Sequence, residues 1–199
     1  MKLNLLALTG FGNEALKCLS RLPGVRVAAL YTRQERGKFP HYEEENILEL
    51  AGRLGIAAKV VDAKGDWEIS DPADINLSVT FHRILRKKHL ARGRFNINIH
   101  PSLLPSYKGP TPTNWMIANK EKLCGLTAHI MTEGIDEGAL IFQKAYPLEA
   151  ATDPLLRKFL AGKVAEAVEA VLADFPNFKE IRSPYPESSQ PNFNARPPR

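Results

Sequence analysis

Cysteine is scarce in this chain. Cys18 and Cys124 are the two examples in 199 residues, and they stand in no metal-binding or redox spacing, so they read as plain buried thiols in a reducing, cytoplasmic setting. No apolar run is long enough to span a bilayer. The short apolar start gives way at once to Thr9-Gly10 and reads as a first strand rather than a signal sequence, so no membrane partner is expected. Basic runs interleaved with aromatics are missing. The net charge of +5 is dispersed, which argues against nucleic acid as a partner and leaves only a mild bias toward anions. No serine or cysteine sits in a nucleophile elbow, so a covalent acyl-enzyme is not expected. Gly10-x-Gly12 follows a strand, yet a third glycine is wanting, and Tyr31-Thr32-Arg33 stands where a dinucleotide site would carry an acid. The residues suggest no metal.

What is present alternates between strand and helix. Residues 3–8 form an apolar strand, followed by a glycine turn and a helix with Ala15, Leu16, Leu19 and Leu22 at helical spacing, ended by Pro23-Gly24. Strands are expected over 25–31, 57–61, 75–81 and 95–99, helices over 43–54 and 113–119, and a basic amphipathic turn over 83–90. Two later strands, 126–131 and 140–146, are joined too closely for a crossover helix and should run antiparallel. A single long helix is expected over 155–172. The pattern predicts an α/β fold, a doubly wound Rossmann-like and mostly parallel sheet. The reading is one domain, residues 1–182, with a Pro-rich tail over 183–199 that meanders or is partly disordered. Hydrophobic residues make up 44%, enough for one sizeable core.

The chemistry concentrates in Asn98-Ile99-His100-Pro101. Asn98 and His100 lie two apart on a strand and leave the same face, near the end where open α/β sheets bind ligands. Asn98 offers an NH2 donor to a developing oxyanion. His100 can take or give a proton near neutrality. Asp136, in a turn between strands, could orient the imidazole and favour its charged form. The set suits acyl transfer without a covalent intermediate. Ser102, between Pro101 and Leu103, is better placed to cap a turn than to attack. His129 leaves its strand either packed or functional, and Trp115 reads as a core residue of its helix. The basic stretch 83–88 reads as a solvated helix face.

The string His100-Pro-Ser-Leu-Leu-Pro-x-x-x-Gly109, preceded by Asn98 and followed by Asp136, resembles the folate-dependent formyltransferases over roughly residues 1–150. That group includes the glycinamide ribonucleotide, methionyl-tRNA and sugar N-formyltransferases. The resemblance implies their fold and 10-formyltetrahydrofolate as cosubstrate, with no metal. It also implies Asn98 on the formyl oxygen, His100 as proton carrier and Asp136 as its partner. By the same resemblance His82, Arg83, Ile84 and Leu85, together with Thr132, Glu133, Gly134 and Ile135, form the pterin walls. Ser102, Leu103, Leu104 and Pro105 match the folate-side turn. His82 departs from the apolar residue expected there.

The acceptor is expected over Gly10, Phe11, Gly12 and Asn13. That turn lacks the serine of a Gly-x-Gly-Ser-Asn phosphate loop and adds Glu14, which opposes phosphate. Pro112-Thr113-Asn114-Trp115, Leu30-Tyr31-Thr32-Arg33 and the tail Pro186-Glu187-Ser188 look like the sugar enzymes. The reading therefore leans toward a small-molecule amine, an amino sugar on a nucleotide among the candidates. A glycinamide ribonucleotide or methionyl-tRNA type of enzyme, a formyltetrahydrofolate hydrolase and a non-catalytic folate- or nucleotide-binding module remain open, as does a homodimer.

Overall fold

The computed structural model describes residues 1–35 and 37–186. Its centre is a seven-stranded sheet. In chain order the strands are β1 (Lys2–Ala7), β2 (Arg26–Thr32), β3 (Ala58–Val60), β4 (Ala73–Val79), β5 (Gly93–His100), β6 (Leu123–Ile130) and β7 (Leu140–Pro147). The spatial order is β3-β2-β1-β4-β5-β6-β7. The first five strands are parallel, and β6 and β7 join antiparallel, as their short connection requires. The order reverses at β1, which opens a crevice at the carboxyl ends of the central strands.

The helices are α1 (Phe11–Leu19), α2 (Ile47–Arg53), α3 (Lys87–Leu90), α4 (Pro112–Ala118), α5 (Asp153–Ala161) and α6 (Val164–Ala173). The larger core joins Leu3, Leu5, Ile75, Leu77 and Ile97 of the sheet to Leu16 of α1, Leu50 of α2 and Val168 of α6. A smaller one on the opposite face gathers Leu6, Ala29, Tyr31, Ile69 and Leu85. The period of two along β1 produces this division: Leu3, Leu5 and Ala7 serve one core and Leu6 the other. Cys18 and Cys124 are free, and burial pushes both thiols up to about 11, so neither is a reactive thiolate.

The face carrying the smaller core also holds an amide ladder. Asn4 Nδ2 donates to Asn76 Oδ1 at 2.9 Å, Asn76 Nδ2 to Asn96 Oδ1 at 2.8 Å, and Asn96 Nδ2 to the Leu90 carbonyl at 2.9 Å. These three residues are in register across β1, β4 and β5. A one-residue slip would strand buried amides, so the ladder pins the register on which the site depends.

Two segments differ from the sequence reading, and part of a third is described. The helix expected over 43–54 starts only at Ile47, because Asn46 caps Leu48 N at 2.9 Å and the Glu45 carbonyl accepts from Asn13 Nδ2 at 2.7 Å. Glu43–Glu45 are thereby drawn out to cover the glycine turn. The long helix over 155–172 is two, α5 and α6, interrupted at Gly162 and Lys163, where the Lys163 amide closes a tighter turn on the Leu160 carbonyl. The first part of the expected tail is docked: Ser183 Oγ donates to Gln143 Oε1 at 2.8 Å, and Ser106 Oγ to the Pro186 carbonyl at 2.6 Å. Residues 187–199, including Glu187 and Ser188, lie outside the described residues. No helix among the described residues is long and apolar enough to cross a membrane.

Candidate active site

The crevice is a cavity of about 600 Å³. Asn98, His100, His129 and Asp136 line it together. Asn98 and His100 share the ladder's face of β5. The antiparallel register places His129 of β6 directly opposite Asn98, where cross-strand side chains touch. Asn98 Nδ2 donates to Asp136 Oδ1 at 3.2 Å and lies 3.2 Å from His129 Nε2. His129 Nδ1 donates to the Ile130 carbonyl at 3.2 Å, which leaves Nε2 to meet Asn98 and, at 3.2 Å, Asp136 Oδ1. His100 Nε2 donates to the Tyr107 carbonyl at 2.7 Å. A carbonyl only accepts, so this nitrogen carries a proton. Nδ1, 3.5 Å from Asp136 Oδ2, is the ring atom left for proton exchange.

Asp136 therefore serves two imidazoles. Its tightest contact is the Gly109 amide, which donates to Oδ2 at 2.7 Å. Burial pushes its pKa up, but His100, His129 and the Gly109 N–H together outweigh that and hold the carboxyl well below the usual carboxylate range. Asp136 sits at φ 53°, Thr80 at 53° and Thr111 at 59°, and all three line the cavity. Such backbone strain in non-glycine residues gathers at functional sites. Gly138 closes the loop: a Cβ there would overlap the Ile130 carbonyl oxygen.

Most residues of the two segments expected to hold the pterin line the cavity. Phe81, His82, Arg83, Ile84 and Leu85 line the cavity, as do Met131, Thr132, Gly134 and Ile135, while Glu133 is not among the lining residues. The first segment follows β4 and the second follows β6, the two strands that flank β5, so both border the cavity that Asn98 and His100 of β5 line. Ile84, 60% exposed, sits at the mouth. Arg83 is tied to the loop after β3, donating to the carbonyls of Asp62 at 2.5 Å and Gly65 at 2.7 Å. His82 Nε2 donates to the Val61 carbonyl at 3.0 Å, and burial lowers its pKa, so Nδ1 is a buried acceptor without a partner among the described residues.

Two expected groups lie outside the cavity. Ser102, Leu103, Leu104 and Pro105 turn behind β5: Ser102 Oγ donates to the Ser106 carbonyl at 2.7 Å, Leu103 and Leu104 are buried, and none of the four lines the crevice. Gly10, Phe11, Gly12 and Asn13 are buried beneath the segment that follows β2. Gly10 has φ 98°, and a Cβ there would lie 2.8 Å from Tyr42 Oη and 2.9 Å from Phe39 Cζ. Asn13 Oδ1 accepts from Gly10 N at 3.1 Å, and its amide is spent on Glu44 and Glu45. His129 was the residue left open by the sequence; only the β5–β6 register resolves its position.

A family model for formyl transferase matches residues 66–170, and the chain belongs to that family. Methionyl-tRNA formyltransferase of Caldanaerobacter subterraneus subsp. tengcongensis is 30% identical over 179 residues, covering 84% of this chain and 58% of the relative. The Synechococcus sp. (strain JA-3-3Ab) enzyme is 38% identical over 102 residues, covering 50% and 32%. The chain thus spans less than two thirds of these curated relatives. Among solved structures, glycinamide ribonucleotide transformylase 1 from Symbiobacterium toebii superposes with a TM-score of 0.68 at 24% identity, covering 86% of this chain and 85% of that one. The Helicobacter canadensis N-formyltransferase, solved with folinic acid and dTDP-3-aminofucose, gives 0.64 at 20% identity, covering 98% and 74%. At these identities the likeness is one of fold.

Proposed function

We propose that residues 1–182 act as one catalytic unit that transfers the formyl group of 10-formyltetrahydrofolate to a small-molecule amine. The observation that carries this is the convergence of Asn98, His100, His129 and Asp136 on the floor of a cavity with apolar walls. The pterin lies between the Phe81–Leu85 and Met131–Ile135 segments, flat against Phe81, Leu85 and Ile135, with its rim on backbone groups and His82 Nδ1 accepting from a pterin N–H.

The amine nitrogen attacks the formyl carbon, and a C–N bond forms as the carbonyl oxygen becomes an oxyanion. Asn98 Nδ2 turns from Asp136 to that oxygen and stabilises it. The attacking nitrogen sheds a proton, N10 of the folate gains one as its bond to the formyl carbon breaks, and His100 Nδ1 carries the proton between them. Asp136 holds the positive charge of whichever imidazole is protonated, so the balance of charge within the site is kept while the proton moves. No step needs a metal-bound water.

An amino sugar carried on a nucleotide is the acceptor we favour, on the local sequence likenesses around Thr113–Trp115 and Tyr31–Arg33. The test is tetrahydrofolate release from 10-formyltetrahydrofolate across a panel of amines. Acceleration by an amine supports transfer; equal consumption without any amine would instead support a hydrolase, and binding without consumption a folate-holding module.

A further inference from the structure

The cavity has a far end that these steps leave unused. From Asn98 on β5 the sheet order passes β4 and β1 before reaching β2. Those three spacings amount to about 14 Å at the backbone. Arg33, the residue after β2, lines this end, and Arg157 of α5 also lines the cavity. Both guanidinium groups act on one imidazole: burial lowers the pKa of His41, Arg157 and Arg33 lower it further, and only Asp153 opposes them. The two arginines therefore work over a shared region.

Each is aimed by a carboxylate. Arg157 Nε donates to Asp153 Oδ2 at 2.8 Å and Nη2 to Asn114 Oδ1 at 3.3 Å. Arg33 Nε lies 3.5 Å from Glu35 Oε1, and its side chain is 47% exposed. Thr113 adds a hydroxyl in the same lining. It is 1% exposed, and its Oγ1 has no hydrogen-bond partner among the described residues. Two forked donors and a hydroxyl suit a tetrahedral oxyanion with several acceptor oxygens. The glycine turn is closed to that role, because Phe39 and Tyr42 cover Gly10 and Glu44 takes the Asn13 amide.

We infer that Arg33 and Arg157, with the Thr113 hydroxyl, form an anion subsite that holds a phosphate group of the acceptor while its amine reaches back to Asn98 and His100. This rests on the formyl-transfer reading and narrows its substrate class to an amine bearing a phosphate at the opposite end of the molecule, such as a phosphorylated amino sugar. A sugar monophosphate and a nucleoside diphosphate sugar share this chemistry.

The experiment has a binding arm and a turnover arm, each run on the full chain, Arg33→Gln and Arg157→Gln. Calorimetry with inorganic pyrophosphate reads the subsite without catalysis. Affinity should fall about tenfold or more in each variant, since each removes a charge-assisted fork. In turnover, the ratio of KM for an amino sugar without phosphate to KM for the same sugar with phosphate should be well above one and collapse toward one in Arg33→Gln. Arg33 is half-exposed, so this variant decides the matter if Arg157→Gln fails to fold. A nucleoside diphosphate that binds more tightly than pyrophosphate assigns the nucleotide-linked source, and equal binding assigns a simple sugar phosphate. Pyrophosphate that does not bind the wild type, or binds Arg33→Gln equally, overturns the subsite. An unchanged KM ratio in an enzyme that does formylate amines overturns it too and leaves formyl transfer standing. Pyrophosphate binding that is lost in Arg33→Gln, with no transfer to any amine, keeps the subsite and removes the reaction.

Discussion

Replacing Asp136 by asparagine keeps the shape of the side chain and removes its charge. The carboxylate is 10% exposed, so solvent screens it little. It takes a hydrogen bond from Gly109 N at 2.7 Å and from Asn98 Nδ2 at 3.2 Å, and meets His129 Nε2 at 3.2 Å and His100 Nδ1 at 3.5 Å. Asparagine can keep the Gly109 contact through its oxygen, as a neutral bond. Its NH2 then faces the Asn98 NH2 and His129. A hydrogen bond to a charged group contributes about 1.5–3 kcal/mol, and two of them at the long end of the range are lost, so the variant should be less stable by about 3 kcal/mol at pH 7. The sign of the pH dependence follows from the depressed folded pKa. The charge contributes fully above the unfolded aspartate value of about 3.9, and its contribution is lost as pH falls through the lower folded value. Urea unfolding of both proteins from pH 4 to pH 2 should show a difference that shrinks as pH falls. Turnover should fall by about 10²–10⁴-fold, the range for a disabled proton-transfer group. A stability difference that stays constant to pH 2, or a variant with wild-type turnover, would refute the reasoning.

Further outcomes follow from the same geometry. Asn98→Ala should lower turnover by about 10²–10³-fold through loss of the oxyanion donor, with the fold retained; tetrahydrofolate release at wild-type rates would remove Asn98 from the role. A non-reactive folate analogue should slow amide exchange in both 81–85 and 131–135, and slowing confined to other segments would place the pterin elsewhere. Gly12→Val tests the closed glycine turn. A Cβ at Gly12 would lie 2.6 Å from Ala7 Cβ and 2.7 Å from Ile47 Cδ1, so overpacking should cost about 1–3 kcal/mol of stability. The KM for the amine should stay near wild type in the folded fraction, and a selective rise in that KM would return the acceptor to the turn.

The sheet was legible because its signals are local. Alternating apolar runs, the glycine turns and the short link between β6 and β7 specify parallel strands followed by an antiparallel pair, and Pro101 marks the end of β5. Asn98 and His100 were legible from a spacing of two on that strand. His129 was not assignable, because its position depends on the register between β5 and β6, a property of two strands together. The Asn4–Asn76–Asn96 ladder escaped notice for the same reason. Ser102–Pro105 follow His100 in sequence but fold away behind the strand, where Ser102 pairs with the Ser106 carbonyl. The cover over Gly10–Asn13 was hidden because Glu43–Glu45 read as the first turn of a helix, and the bonds from Asn13 that hold them extended span about thirty residues.

The loop from Met131 to Ala139 carries the proposed pterin wall and the carboxylate on one short piece of chain, fastened at Ile130 by the close approach of Gly138 and at Gly109 by Asp136. An insertion there would displace donor contacts and proton chemistry in a single stroke. The far end of the crevice is assembled differently, from the segment after β2, from α5 and from the entry to α4, none of which supplies Asn98, His100, His129 or Asp136. The architecture thus separates what must stay fixed from what can drift. Grafting the 33–46 segment and the start of α5 between members of this fold should exchange acceptor preference while donor use is inherited unchanged.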